Sequence, residues 1–157
     1  MTIPIIQRRK IEAEILREVY QSATELVGKN AAQKIIETAV RASSIAQGKA
    51  FAAQEAHGTS LQTFVDIQKH WTAENALEIE PERRDATHFE FKVTRCRYAE
   101  MYKDMGLGEI GHLLSCNRDG TFCEGYDPKL TLTRTQTIMG GASHCDFKFR
   151  YDAEAGT

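Results

Sequence analysis

The chain has 157 residues, of which 41% are hydrophobic and 27% charged, with a formal net charge of -2. This length allows one core that buries roughly 70% of the surface of the unfolded chain, so one domain over residues 1–157 is expected. The charge balance excludes a nucleic-acid binder, which needs a basic stripe, and no apolar run approaches the roughly 18 residues of a membrane span. The strongest basic run, Gln7-Arg8-Arg9-Lys10, opens a helix whose next turns carry Glu12, Glu14 and Glu18, and reads as a solvated helix start.

Ile11, Ile15, Leu16, Val19, Ala23 and Leu26 recur at helical spacing, which predicts an amphipathic helix from about Ile5 to Val27, ended by Gly28. A second helix is expected from Asn30, as N-cap, through Ile35, Ile36, Ala39, Val40 and Ile45 to Gly48 or beyond. Thr59-Ser60-Leu61-Gln62 has capping-box spacing ahead of a third helix with Leu61, Phe64, Val65 and Trp71 on its buried stripe. The period then changes. Leu77 and Ile79 alternate with glutamates, Pro81 to Asp85 is turn material, and Phe89, Phe91 and Val93 alternate with polar residues, which together read as a hairpin. Two short helical segments follow, one with Tyr98, Met101, Tyr102 and Met105, the other with Ile110, Leu113 and Leu114, parted by Gly106 and Gly108. Asn117 to Pro128 reads as a loop, and Leu130 to Ile138 and Ser143 to Tyr151 read as strands of a second hairpin joined at Gly140-Gly141. The expected fold class is α+β: a helical part over 1–74, then a sheet-containing part over 75–157. The sheet is antiparallel, with about four strands in two hairpins, two short helices between them and helices on one face.

Nothing resembling a signal peptide precedes the four cysteines, Cys96, Cys116, Cys123 and Cys145, so a reducing, cytoplasmic setting is expected. Glu109, His112 and Cys116, at spacings of three and four, would place a carboxylate, an imidazole and a thiol on one helical face, with Asp119 next if the helix ran on. A thiol beside an imidazole can ionise and attack an electron-poor carbon. Alternation in the last strand turns Cys145, Phe147 and Phe149 inward and His144 and Asp146 outward, so Cys145 is either a core thiol or a pocket thiol. Arg134 interrupts the face of Leu130, Leu132 and Ile138, and needs either a substrate carboxylate or an internal partner such as Glu90, Glu100 or Glu109. Cys96, Cys116, Cys145 and His112 are suitable donors for zinc, but no CxxC or HxxxH pair supports a metal site, and no glycine-rich phosphate or dinucleotide loop implies a cofactor.

Arg95-Cys96-Arg97-Tyr98-Ala99-Glu100, the run from Gly108 to Asp119 ending Leu114-Ser115-Cys116-Asn117-Arg118-Asp119, Arg134-Thr135-Gln136-Thr137-Ile138-Met139-Gly140, and His144-Cys145-Asp146-Phe147 form an ordered set over roughly the C-terminal half. The set resembles the signature of the L-2-amino-thiazoline-4-carboxylate hydrolase family. The resemblance implies ring-opening hydrolysis, in that family of 2-amino-thiazoline-4-carboxylate to N-carbamoyl-cysteine, and here of a small cyclic amidine, urea or lactam bearing a carboxylate. It points to Cys96, Cys116, Asp119, Arg134, Thr135, Cys145 and Asp146; His112 and Cys123 are not tied to the pattern. On this basis Cys116 or Cys145 is expected as nucleophile, with Asp119, His112 and Glu109 as proton carriers and orienters. Arg134, Thr135, Cys96 and Tyr98 would hold the substrate. Alternatively, the carboxylate activates water directly and the thiols only shape the pocket.

The ending from Gly140 to Phe147 also looks like the close of four-vinyl-reductase-type ligand-binding domains, so a small-molecule sensory domain without turnover is the alternative function. The first two helices carry more apolar surface than four short strands cover, so a homodimer or larger homo-oligomer is expected.

Overall fold

The computed structural model describes residues 3–154. Helix α1 spans Ile5–Val27 and α2 spans Lys29–Ala52. They are separated by Gly28, which takes φ 88 at the junction, a backbone state open to glycine without strain. Gly28 therefore caps α2 as well, in the place expected for Asn30. Helix α3 (Leu61–Ile67) starts at Ser60 with a full capping box closed by Thr63. The short α4 (Lys69–Thr72) and a 3-10 turn (Ala73–Asn75) lead into the sheet.

The sheet has four antiparallel strands, β1 (Leu77–Arg84), β2 (His88–Cys96), β3 (Leu130–Thr133) and β4 (Cys145–Tyr151), in the order β1-β2-β4-β3. Between the hairpins come α5 (Arg97–Asp104), a π-helical turn (His112–Cys116) and α6 (Asn117–Tyr126). The α+β class and the sheet of four strands are as the sequence predicts. Among the described residues no helix is long and apolar enough to cross a membrane.

Four local expectations change. Strand β1 continues through Pro81 to Arg84, with irregular register at Glu78/Ile79 and Pro81/Arg83; Pro81 is tolerated because β1 is an edge strand. Asn117 to Tyr126 is helix, not loop. Its glycine at 125 serves close approach: a Cβ there would overlap the Ile45 carbonyl of α2, and one on Gly48 would overlap the Phe122 carbonyl of α6. Strand β3 stops at Thr133, because the Asp146 carboxylate accepts hydrogen bonds from the Thr135 and Gln136 backbone N–H groups at 2.9 Å each and so replaces the ladder. The fourth change is in α1. Its inward face carries Ile5, Arg9 and Ala13, whereas Ile11, Ile15, Val19 and Leu26 face outward.

Two apolar clusters result. One lies between the sheet, α3 and α6 (Phe64, Phe91, Phe122, Phe149); the other joins α1, α2 and α5 (Ile36, Val40, Tyr102, Ile110). Trp71, Leu77 and Cys96 pack against both.

Candidate functional site

At that junction a cavity with an open mouth is walled by Trp71, Val93, Tyr98, Met139 and Phe147. Its polar lining is Cys96, Ser115, Cys116, Asp119, Arg134 and Cys145, with Arg9 and Arg118. Asp119 comes from the first turn of α6 and Arg134 from the segment that leaves β3. Because Asp146 draws Thr135 and Gln136 outward, Arg134 turns inward and its Nη1 meets Asp119 Oδ2 at 2.6 Å. Arg134 Nη2 donates to the Cys116 carbonyl at 3.1 Å, and its guanidinium lies 5.0 Å from the centre of the Phe147 ring. Burial raises the pKa of Asp119 above its usual 3.8, with Arg134 offsetting part of the rise. Asp119 Oδ1 has no hydrogen-bond partner among the described residues and is left for the cavity.

Three thiols face the same space. Burial pushes Cys96 up to about 11 and Cys116 up to about 12, and the nearby Asp119 charge adds to the rise at Cys116. Cys96 caps α5, accepting from the Ala99 N–H at 3.4 Å, yet desolvation outweighs that help to the thiolate. Burial raises Cys145 too, although its sulfur accepts from the Ile138 N–H at 3.2 Å. All three are thiols at neutral pH. Cys123 lies in the apolar core, not on the cavity. Among the described residues no three His, Cys, Asp or Glu side chains are grouped so as to hold a metal ion.

A second ionic group closes the cavity from α1. Arg9, 3% exposed, donates through Nη1 to both carboxylate oxygens of Glu12 (2.6 and 3.0 Å) and through Nη2 to Gln47 Oε1 at 3.0 Å. Arg118, 6% exposed, donates from Nε to the Leu114 carbonyl at 3.0 Å and from Nη2 to Glu12 at 3.3 Å. Burial, and then the like charge of Arg9, lowers Arg118 to about 10, so it stays protonated at pH 7.

The expected site is thus assembled in part. Cys96, Tyr98, Cys116, Asp119, Arg134 and Cys145 converge on one cavity, and Tyr98 is held there by donating to the Trp71 carbonyl at 2.9 Å. Arg134 pairs with Asp119, not with Glu90, Glu100 or Glu109. Glu109, His112 and Thr135 do not join. Glu109 is on the surface, paired with Lys29 and touched by Tyr20 and Gln33. His112 is exposed and borders an open groove beside Cys116, without a hydrogen bond to it among the described residues. The two meet on a π-helical turn, and Glu109 precedes that turn, so the helical face drawn from spacing does not exist. Thr135 is bound to the outward Asp146, whose pKa these hydrogen bonds lower against the opposing effect of its partial burial.

Arg9 and Arg118 are the residues that spacing could have revealed. Arg9 falls in step with Ile5 and Ala13, and so on the inward face of α1 instead of in a solvated helix start. Arg118 sits four residues from both Leu114 and Phe122, which are buried, but this is informative only once α6 is known to be a helix.

A family model described as L-2-amino-thiazoline-4-carboxylic acid hydrolase matches residues 8–149. The chain belongs to that family. The match takes in α1 as well as the C-terminal half, so the hydrolase-family fold includes the helix that carries Arg9. No curated protein matches the sequence. Among solved structures, the chain is similar to the crystal structure of the phenol-responsive sensory domain of the transcription activator PoxR with phenol. The TM-score is 0.54 at 12% identity, over 91% of this chain and 74% of that one. At that identity the likeness is one of fold.

Proposed function

We propose that this member of the family opens a small carboxylate-bearing heterocycle by adding water at an amidine-like ring carbon, with Asp119 as the base. The observation that carries this is Asp119 itself: one carboxylate oxygen is fixed by Arg134, and the other is unpartnered on a largely apolar cavity. A carboxylate whose pKa is raised by burial is a stronger base than one in water, and the cation beside it fixes its direction. The raised thiols favour the route through water, because a thiol held near pKa 11 to 12 supplies little thiolate at neutral pH. Cys96, Cys116 and Cys145 then shape the pocket.

With 2-amino-thiazoline-4-carboxylate, Asp119 takes one proton from water as the oxygen bonds to the ring carbon, the C=N electron pair moves onto the ring nitrogen, and that nitrogen receives the proton from Asp119. The tetrahedral carbon then collapses to the carbonyl as the C–S bond breaks, and the proton of the new hydroxyl passes to the departing sulfur. Both nitrogens stay on the carbon, so N-carbamoyl-cysteine results from cleavage of the C–S bond. A lactam or cyclic urea would break C–N in the same geometry. The four free thiols are in keeping with a reducing, cytoplasmic setting.

The test is mass spectrometry of purified protein incubated with 2-amino-thiazoline-4-carboxylate and a panel of hydantoins, lactams and cyclic ureas. Gain of one water on a panel member supports the hydrolase. Saturable binding with no gain on any member favours the sensory reading, to which the fold likeness lends support.

A further inference from the structure

The ionised groups on this cavity do not cancel. Among the described residues, Arg9, Arg118 and Arg134 are paired with Glu12 and Asp119 alone, which leaves one cation in excess, and two whenever Asp119 is protonated. The surplus has a location. Arg118 Nη1 has no hydrogen-bond partner among the described residues, although the residue is only 6% exposed and lines the cavity. A guanidinium nitrogen that lines a cavity without an acceptor asks for an anion. Arg134 does not fill this role, since both of its terminal nitrogens are engaged.

The cavity also has an adjoining lobe, which shares Arg9, Trp71, Leu77, Arg118, Asp119 and Phe147 with the first. Its remaining wall is largely aromatic: Phe64, Phe91, Phe122 and Phe149. A bare thiazoline carboxylate leaves that lobe empty. We propose that the ligand is a cyclic acid bearing an aryl group, with its carboxylate on Arg118 and its ring substituent among these phenylalanines. Arg118 and the phenylalanine lobe then set specificity, while Asp119 meets the heterocycle. This rests on the cavity being the substrate site, as proposed above.

Binding of non-hydrolysable probes tests it apart from turnover. Calorimetry would compare 3-phenylpropionate with its uncharged amide, 3-phenylpropanamide, and with propionate, which lacks the ring. The acid should bind at least tenfold more tightly than either, and Arg118→Gln should abolish the preference for acid over amide, whereas Arg118→Lys retains part of it. Equal binding of acid and amide by the unaltered protein overturns the anion site, and equal binding of propionate and phenylpropionate overturns the aryl lobe. Both comparisons are free of any folding defect in the variants. A hydrolysis assay that fails while the probes bind as stated would refute only the catalytic proposal.

A separate observation concerns α1. Ile11 (60% exposed), Ile15 (63%), Val19 (39%) and Leu26 (83%) repeat at intervals of four, four and seven residues on its outward face, which is one helical stripe. The charges beside it change sign along the helix: Arg8 and Lys10 are exposed near its start, Glu14, Glu18 and Glu25 further on. Two such helices packed antiparallel about a two-fold axis bury the stripe and bring each basic start against an acidic end. We infer that a second copy of this chain covers α1 in this way. Light scattering should return a dimer mass, and Ile15→Glu, at a position open enough to leave folding intact by circular dichroism, should return a monomer. Arg8→Glu should weaken the dimer and Arg8→Glu with Glu25→Arg should restore it. A monomer of the unaltered protein, or a dimer unaffected by Ile15→Glu, overturns the inference.

Discussion

Replacing Arg134 by leucine would leave the Asp119 carboxylate among thiols and aromatic rings without its cation, a perturbation whose size follows from the burial of the pair. Removing one partner of a fully buried ion pair costs about 3–5 kcal/mol. Here the Asp119 side chain keeps 26% of its surface open and that of Arg134 15%, and solvent screening brings the cost below that range, to about 2–3 kcal/mol. In a domain of this length that is a fall in Tm of about 5–10 °C. Without Arg134 the carboxyl, already above its usual 3.8, rises further, so the folded variant takes up a proton that the unfolded chain releases. The penalty is therefore largest at pH 7 and shrinks as the pH falls toward the unfolded-state value. The double variant Asp119→Leu/Arg134→Met removes both charges and should lie close to the unaltered protein or above it. Urea unfolding at pH 7 and pH 5 measures both effects. If the single variant lost no more stability than the double, or lost the same amount at both pH values, the pair would not be the buried ionic element described here.

Four further outcomes are expected. Cys116→Ser should keep its fold and most of its turnover, which single-turnover kinetics with a trap for covalent adducts would check, an adduct on Cys116 counting against the water route. Stability should fall on the alkaline side: a thiol moved from 9.0 to about 12 by burial favours the unfolded chain above pH 9, by about 1.4 kcal/mol at pH 10, and thermal scans of Cys116→Ala should show a smaller fall. Gly125→Ala should destabilise by about 2–3 kcal/mol or more, since its Cβ would overlap the Ile45 backbone and not a side chain that can move aside; calorimetric unfolding measures it. Glu109→Gln, by contrast, should leave both Tm and turnover unchanged, because its partners are on the surface.

Element types were legible in the sequence where the apolar period was long or the cap was explicit, as in α1, α2 and the Ser60 capping box. They were not legible where a residue acts over a distance. Gly120 and Gly125 read as loop, yet the latter permits contact between α6 and a helix some eighty positions earlier. Asp146 ends β3 through its side chain, which no period records. Arg9 was read as solvated because the more apolar stripe of α1 is its outward one and its inward face carries this arginine. The six expected residues that line the cavity came from the motifs of the family resemblance, with Arg134 and Cys145 marked as well by the alternation of their strands. The triad drawn on Glu109, His112 and Cys116 assumed an α-helical pitch through a segment that is π-helical.

The measurement that bears most directly on the chemistry is the rate of water addition to 2-amino-thiazoline-4-carboxylate, or to whichever panel ring reacts, by the unaltered protein and by Asp119→Asn, with folding verified for both. Loss of a general base should lower the rate by about 10²–10⁴-fold while probe binding at Arg118 persists. An Asp119→Asn protein as active as the unaltered one would contradict the assignment of Asp119 as the base.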